Sequence, residues 1–192
     1  MLASIGVGLA TFLAGIVYAS FAEWVIHKYM MHKPIFGYAH FYKAHARVHH
    51  GKYQGNESYW LGDRPAIDLT FAKWAMPFPV IFHAPYLLAL GYWISPAAAI
   101  GFVAAFILYQ ATYEYFHFCM HVPKGRWFET NPIFVFVNEH HYQHHKKANT
   151  NLNVVLPLAD FILGTRRKLA EPMADKPSVT PSSPTSSTPL AA

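Results

Sequence analysis

Residues 1–22 read MLASIGVGLATFLAGIVYASFA, a stretch without a charged side chain. A helix needs about 20 apolar residues to cross a bilayer, and this run, continued to Ile26, is long enough. A cleaved signal peptide would begin with a basic region, but no Lys or Arg precedes Lys28. The stretch therefore predicts a membrane-anchoring helix over residues 4–26.

A second apolar stretch lies between Lys73 and Glu114, where no Asp, Glu, Lys or Arg occurs. One helix of about 40 residues would be about 60 Å long, twice the thickness of the hydrocarbon core. We therefore expect two spans, over residues 72–93 and 96–117, joined by the turn GYWISP at residues 91–96. Only 13% of the chain is charged, against about 25% in soluble domains. These patterns predict an all-α integral membrane protein with about three transmembrane helices.

The basic residues predict how these spans are oriented. All 15 Lys and Arg residues lie on the side of residues 27–70 and 118–192, counting Lys73 at the edge of the second span. Because cytoplasmic loops are enriched in Lys and Arg, we expect this side to be cytoplasmic. The basic residues do not form a cluster of the kind that binds nucleic acid, so we expect no nucleic-acid partner.

Ten of the 13 histidines fall into four clusters that form two similar halves. Each half contains a spaced pair, followed by a single histidine and an adjacent doublet. Imidazole is the commonest metal ligand in proteins, and about five ligands for each of two ions exceed the four of a structural zinc site. The pattern predicts a dimetal site in a cytoplasmic helical cap, with these candidate ligands: His27, His32, His45, His49, His50, His117, His121, His141, His144 and His145.

Helical geometry predicts which of these histidines bind the same metal ion. Residues four apart in an α-helix lie on one face, so such a pair can hold one ion. Adjacent histidines point about 100° apart and therefore suit two ions side by side. His27 and His32 are five apart and align less well. The pairs four apart are His45–His49, His117–His121 and His141–His145, and His141 and His144, three apart, also share a face.

Several other residues are further candidates for the site. His40, His83 and His140 are interpreted as packed or surface residues, although His140 adjoins His141 and is the alternative to it as a ligand. Cys119 is the one cysteine, which excludes thiolate zinc sites and an intrachain disulfide. The acidic candidates can each orient a ligand imidazole or serve a purely structural role: Glu23, Glu114 and Asp160.

The order of these clusters resembles the fatty acid hydroxylase and sterol desaturase superfamily of membrane-bound, non-haem di-iron oxygenases. The stretch NVVLPLADFILGT at residues 153–165 is similar to the segment that follows the last histidine cluster in that family, and the resemblance covers residues 20–166. It implies that the ten clustered histidines bind two iron ions, which zinc can replace on purification. It implies no catalytic residue beyond these ligands and no further cofactor-binding residue.

The resemblance also implies an O2-dependent reaction on a membrane lipid, with hydroxylation of a fatty-acyl type of substrate favoured. Desaturation and oxidation of a carotenoid or sterol are alternatives within the superfamily. The electrons are expected from a separate ferredoxin or cytochrome. Family members commonly have four spans, and with three the substrate cavity is undefined or completed by a second subunit, which makes a homo-oligomer a candidate assembly.

Two other classes of function remain open. A metal transporter would place ligands along a path near the bilayer midplane, whereas these ligands lie at span ends on one side. A catalytically silent scaffold could instead hold structural zinc. The expected organisation is a membrane-embedded domain over residues 1–170, followed by a disordered Pro/Ser/Thr-rich tail over 171–192.

Overall fold

The computed structural model describes residues 2–34, 39–62 and 83–175. The regular secondary structure of these residues consists of α-, π- and 3₁₀-helices, with no strand among them. This confirms the predicted all-helical fold for the described part of the chain. Two π-helical segments, His27–Met31 and Lys43–His49, and a 3₁₀ turn, Glu57–Tyr59, interrupt or connect the α-helices. The α-helices are α1 (Leu2–Ile26), α2 (His40–Tyr42), α3 (His50–Lys52), α4 (Ala84–Trp93), α5 (Pro96–His121), α6 (Pro132–Lys146) and α7 (Leu158–Ile162).

Two helices among the described residues are long and apolar enough to cross a membrane, Leu2–Met31 and Pro96–His121. Ser95 caps the start of α5, because its side chain accepts the N–H of Ala98, and Pro96 occupies the first helical turn. Both helices run further than the spans predicted over residues 4–26 and 96–117. The cluster that contains His117 therefore lies within α5 and does not follow it.

The second predicted span, over residues 72–93, is only partly described. Residues 72–82 lie outside the described residues, and α4 supplies the remainder. The carbonyl of Leu90 accepts the N–H groups of Ile94 and Ser95, which ends α4 and begins the predicted turn into α5. As a helix of ten residues, α4 is about 15 Å long.

Small residues let α1 and α5 pack closely, and this pair forms the most extensive helix contact in the described chain. A Cβ atom added at Gly101 would collide with the backbone carbonyl of Gly8, and one added at Gly15 would lie 2.7 Å from Ala105 Cβ. Close approach through small residues is typical of helices packed within a membrane. The outer face of α1 is apolar and exposed, for example at Leu13.

The main hydrophobic core lies at the end of α5, where α6 and the segment around Tyr59 pack against it. Cys119 is buried in this core. Of the predicted tail, residues 171–175 are described. Ala174 donates its N–H to the Tyr142 hydroxyl and accepts from Trp60 Nε1; the remainder of the tail lies outside the described residues.

Candidate metal centre

The ten clustered histidines come together as two groups of five. In each group, one nitrogen of every ring lies within 4.8 Å of the corresponding nitrogens of the other rings. His40, His83 and His140 belong to neither group. The first group is His27, His32, His45, His50 and His144, and the second group is His49, His117, His121, His141 and His145.

Two π-helical segments build most of the first group. The N–H of His32 donates to the carbonyl of His27, and the N–H of His50 donates to that of His45. Such i→i+5 bonds define a π-helix and bring residues five apart onto one face. The rings of His27 and His32 accordingly stack, with centroids 5.0 Å apart. The expectation that a spacing of five aligns these two rings poorly was wrong, because it assumed an α-helix.

The same geometry corrects the expected sharing of His45 and His49. These residues are four apart, but the π-helical segment Lys43–His49 pairs His45 with His50, so His49 turns to the second group. His141 and His144, three apart, also fall in different groups. The pairs four apart on α5 and α6 do stay together, and both doublets divide between the groups as their geometry predicts; these are His117–His121, His141–His145, His49–His50 and His144–His145.

Each group draws on both halves of the sequence. The first group takes four rings from the first half and His144 from α6, whereas the second takes four from the second half and His49 from the π-helical segment. Neither group is complete until the two halves meet. Adjacent histidines thereby link the two groups through the backbone at two places.

The spacing of the ring nitrogens fits a metal ion. Nε2 atoms are 2.8 Å apart for His27 and His45 and 3.3 Å apart for His121 and His141. A metal–imidazole bond is about 2.1 Å, so two ligands at right angles have nitrogens about 3.0 Å apart. The rings are therefore spaced as ligands of a common ion are.

Backbone carbonyls determine which nitrogen of the ring faces inward. A neutral imidazole that donates its Nδ1–H to a carbonyl carries its lone pair on Nε2. Since such lone pairs converge in each group, they repel one another unless a cation lies between them. The donor sets therefore fit one metal ion per group. The four bonds run from His27 to Leu152, His144 to Thr150, His121 to Tyr59 and His145 to Tyr53.

Burial keeps these imidazoles in the neutral form that binds metal. It lowers the pKa of His32 to about 4. The pKa values of deeper rings, such as His45 and His141, lie well below the ordinary value because of burial and of the neighbouring imidazoles. At neutral pH a metal ion therefore displaces no proton from these ligands.

We expect the metal-free protein to lose stability as the pH falls below about 6.5, the ordinary pKa of histidine. The folded state lowers the pKa of His32 to about 4, so between these values the unfolded chain binds protons that the folded chain does not. This contribution to stability is fully present above the unfolded pKa and declines as the pH falls. Thermal unfolding of the chelated protein in detergent across this range measures it, and a constant unfolding temperature would contradict it.

An apolar cavity of about 440 Å³ lies between α1 and α5. Met31, which precedes His32, lines it, and so does Tyr113, whose ring stacks on that of His117 with centroids 5.7 Å apart. Tyr18 and His83, joined by a hydrogen bond of 3.0 Å, also line it. Its described lining residues include none of the ten clustered histidines, so the cavity adjoins the two histidine groups through Met31 and Tyr113.

A family model described as fatty acid hydroxylase matches residues 12–165. The chain belongs to the fatty acid hydroxylase family. The match begins somewhat earlier than the resemblance seen at residues 20–166 and ends at Thr165, after the Gly-Thr pair. Neither a search of curated proteins nor a search of solved structures found a significant match. Membership implies an oxidoreductase associated with the membrane and with lipids, and the histidine groups are compatible with its metal dependence.

The remaining candidate residues of this family member have other partners. His140 Nε2 lies 2.9 Å from Asp160, which leaves His141 as the member of the pair that faces the second group. Glu114 accepts from Gln110. Glu23 accepts from the Tyr109 hydroxyl, the Asn153 side chain and the Val154 N–H.

The sequence did not reveal the four backbone carbonyls that orient these histidines. They belong to residues of unrelated types: Leu152, Thr150, Tyr53 and Tyr59. Because every residue carries a backbone carbonyl, no side-chain pattern marks those that accept from a ligand. Of the acidic residues proposed to orient an imidazole, Asp160 and Glu23 bond the segment that contains the Leu152 carbonyl, whereas Glu114 accepts from Gln110.

Proposed function

We propose that the chain is an O2-dependent lipid hydroxylase whose ten clustered histidines hold two iron ions. The observation that carries this proposal is the convergence of ring nitrogens in two groups, beside an apolar cavity that is lined by neighbours of these histidines. Iron bound there would activate the co-substrate O2, so that one oxygen atom enters an unactivated C–H bond while two electrons from a donor and two protons convert the other to water.

The residues of the chain perform the remaining tasks. Four backbone carbonyls hold rings with Nε2 directed inward, so the ligands need little rearrangement when metal binds. Eight of the ten rings are buried, while His32 and His50 are half-buried. Burial excludes bulk water from both groups and so protects the reaction from side reactions.

The cavity supports a lipid substrate. Its volume of about 440 Å³ lies within the range of about 300–1,000 Å³ usual for ligand pockets. Residues of two helices that are apolar enough to cross a membrane line it, and we propose that the lipid chain enters from the bilayer. We favour a fatty-acyl type of substrate, and desaturation or oxidation of a carotenoid or sterol at the same site are the alternatives.

The proposed arrangement in the membrane has about three spans, with the second over residues 72–93 and the histidine groups on the cytoplasmic side. The basic residues on that side support this orientation. Residues 1–170 form the proposed membrane-embedded domain, and 171–192 form a Pro/Ser/Thr-rich tail after it. The proposed electron donor is a separate ferredoxin or cytochrome, and a second copy of the chain is a candidate partner.

The placement of the ligands separates this proposal from metal transport. A transporter needs polar ligands along a path through the bilayer. In the described part of the chain, both histidine groups instead lie beyond one end of α1 and at the corresponding end of α5.

Oxygen consumption tests the enzymatic proposal. Protein loaded with iron in detergent and supplied with a reduced ferredoxin or cytochrome and membrane lipid should consume O2, whereas zinc-loaded protein should not. Mass spectrometry should find a lipid that has gained one oxygen atom, or lost two hydrogens if the reaction is desaturation. An iron-loaded protein that consumes no O2 with any donor would contradict the proposal.

Filling the cavity should stop turnover without removing metal. Ala22 lines the cavity, and Ala22→Phe adds a ring where the substrate is proposed to lie. We expect turnover to fall by at least about tenfold, equivalent to about 1.4 kcal/mol of transition-state stabilisation, with unchanged bound metal. Ala14→Phe is the matched control, because Ala14 is exposed on the same helix. Equal turnover in the two variants would exclude this cavity as the substrate site.

A further inference from the structure

Separate backbone segments hold the two histidine groups. The first group is held by carbonyls of Thr150 and Leu152, which accept from His144 and His27. The second group is held by carbonyls of Tyr53 and Tyr59, about 90 residues earlier in the chain, which accept from His145 and His121. A change confined to either segment should therefore act on one group.

Asp160 forms hydrogen bonds with the first of these segments, the one that contains Thr150 and Leu152. Its side chain is fully buried, and its two carboxylate oxygens accept the N–H groups of Leu152 at 2.9 Å and of Asn153 at 2.7 Å. The Thr165 hydroxyl and His140 Nε2 also contact these oxygens, at 2.6 and 2.9 Å. All four contacts require an acceptor, so the site is matched to a carboxylate.

Glu23, which lies on α1, forms hydrogen bonds with the same segment. One of its oxygens accepts the N–H of Val154 at 2.7 Å, and the other accepts the side-chain amide of Asn153 at 3.0 Å. The Asn153 side-chain oxygen in turn accepts the N–H of Asp160 at 3.2 Å. Two carboxylates thus hold three successive N–H groups, with Asn153 between them.

Because the peptide bond is planar, these hydrogen bonds also affect the orientation of a candidate metal ligand. The carbonyl of Leu152 and the N–H of Asn153 belong to one rigid peptide unit and point in opposite directions. When Asp160 determines the direction of the N–H, it also determines the direction of the carbonyl. That carbonyl accepts the Nδ1–H of His27, so the orientation of this ring follows from the position of the Asp160 carboxylate.

We propose that Asp160, assisted by Glu23, is a positioning residue for the first metal position and leaves the second position largely unaffected. This inference rests on the proposed function, since it assumes that each histidine group holds one ion. Asp160 belongs to neither histidine group. It acts through the peptide between Leu152 and Asn153 and through the His27 ring.

The test variant is Asp160→Asn, which keeps the shape of the side chain. In either orientation, its amide group turns an N–H donor toward two existing donors, so the grip on the segment weakens. Loss of such an outer partner typically costs about 10–100-fold in metal affinity. We expect one of the two ions to bind that much more weakly, and the other to bind as in the unaltered protein. Zinc titration of the full chain in detergent, followed by elemental analysis, measures both.

Glu129→Gln is the matched control. Glu129 is also a buried carboxylate, and it accepts the N–H groups of Lys124 and Gly125 and contacts Arg126. These contacts hold a loop without bonding a histidine, so we expect two ions bound at unaltered affinity even if the unfolding temperature falls. Weakened binding of one ion in this control, as in Asp160→Asn, would assign the effect to general destabilisation and overturn the inference.

A pair of double variants assigns the affected position. Asp160→Asn should reduce metal binding further when combined with His49→Ala, which disrupts the second group. It should have no added effect with His50→Ala, which disrupts the first. The opposite pattern, or equal weakening of both ions, would overturn the inference. Glu23→Gln should show the same preference for the first position if Asp160→Asn does not fold. If the unaltered protein binds fewer than two zinc ions, the proposed dimetal site itself is contradicted.

Discussion

Replacing His49 with alanine should remove one metal ion and abolish turnover, whereas replacing its neighbour His50 should remove the other ion. His49 Nε2 lies 3.1 Å from that of His117 and 3.2 Å from that of His145, in the second group. His50 Nε2 lies 3.1 Å from that of His45, in the first group. Loss of a residue that only hydrogen-bonds a ligand lowers metal affinity by up to about 100-fold. Because each variant loses a direct ligand, the affinity for the affected ion should fall by at least as much.

Elemental analysis of each variant should find about one ion per chain instead of about two, and oxygen uptake should be lost in both. His83→Ala is the control for metal content, because His83 lies outside both groups. Full occupancy of both sites in His49→Ala would contradict the assignment of His49 as a ligand. His45→Ala adds a stricter test. It should match His50→Ala if the π-helical segment sets the grouping, and His49→Ala if an α-helical spacing does.

Replacing Gly101 with leucine should separate α1 from α5 and destabilise the whole protein. An added Cβ atom at Gly101 would collide with the Gly8 carbonyl and with the Thr11 hydroxyl, which lies 2.5 Å away. The backbone of a packed helix cannot yield as a flexible side chain does, so the helices must move apart. Overpacking of this kind typically costs about 1–3 kcal/mol, and a side chain larger than alanine should reach the upper end.

Separating α1 from α5 should also weaken metal binding, because α1 leads directly into His27 while α5 carries His117 and His121. We therefore expect Gly101→Leu to lower both the unfolding temperature in detergent and the affinity for zinc at both positions. Gly6→Leu is the matched control on α1, since no atom lies within 4 Å of the added Cβ position there. Equal unfolding temperatures for the two variants would show that the close approach of α1 and α5 is unimportant.

Much of the site was accessible from local sequence patterns. The charge-free stretch at residues 1–22 predicted α1, and the long apolar run predicted α5. The four clusters identified all ten rings that the structure brings together. The division of those rings was less accessible. His45 and His49 were predicted to share an ion because an α-helix was assumed, and a π-helical segment is not evident from a spacing of histidines.

The sequence by itself determined which side chains form the histidine groups and which helices are apolar enough to face lipid, because residue type and helical periodicity are local properties. Only the tertiary structure decided that His49 joins the second group and His144 the first. It also decided that Asp160 orients the Leu152 carbonyl toward His27. These arrangements depend on the directions of backbone groups and on contacts between residues more than 100 positions apart, such as His27 and Leu152. The packing of α1 against α5 and α7 brings such residues together.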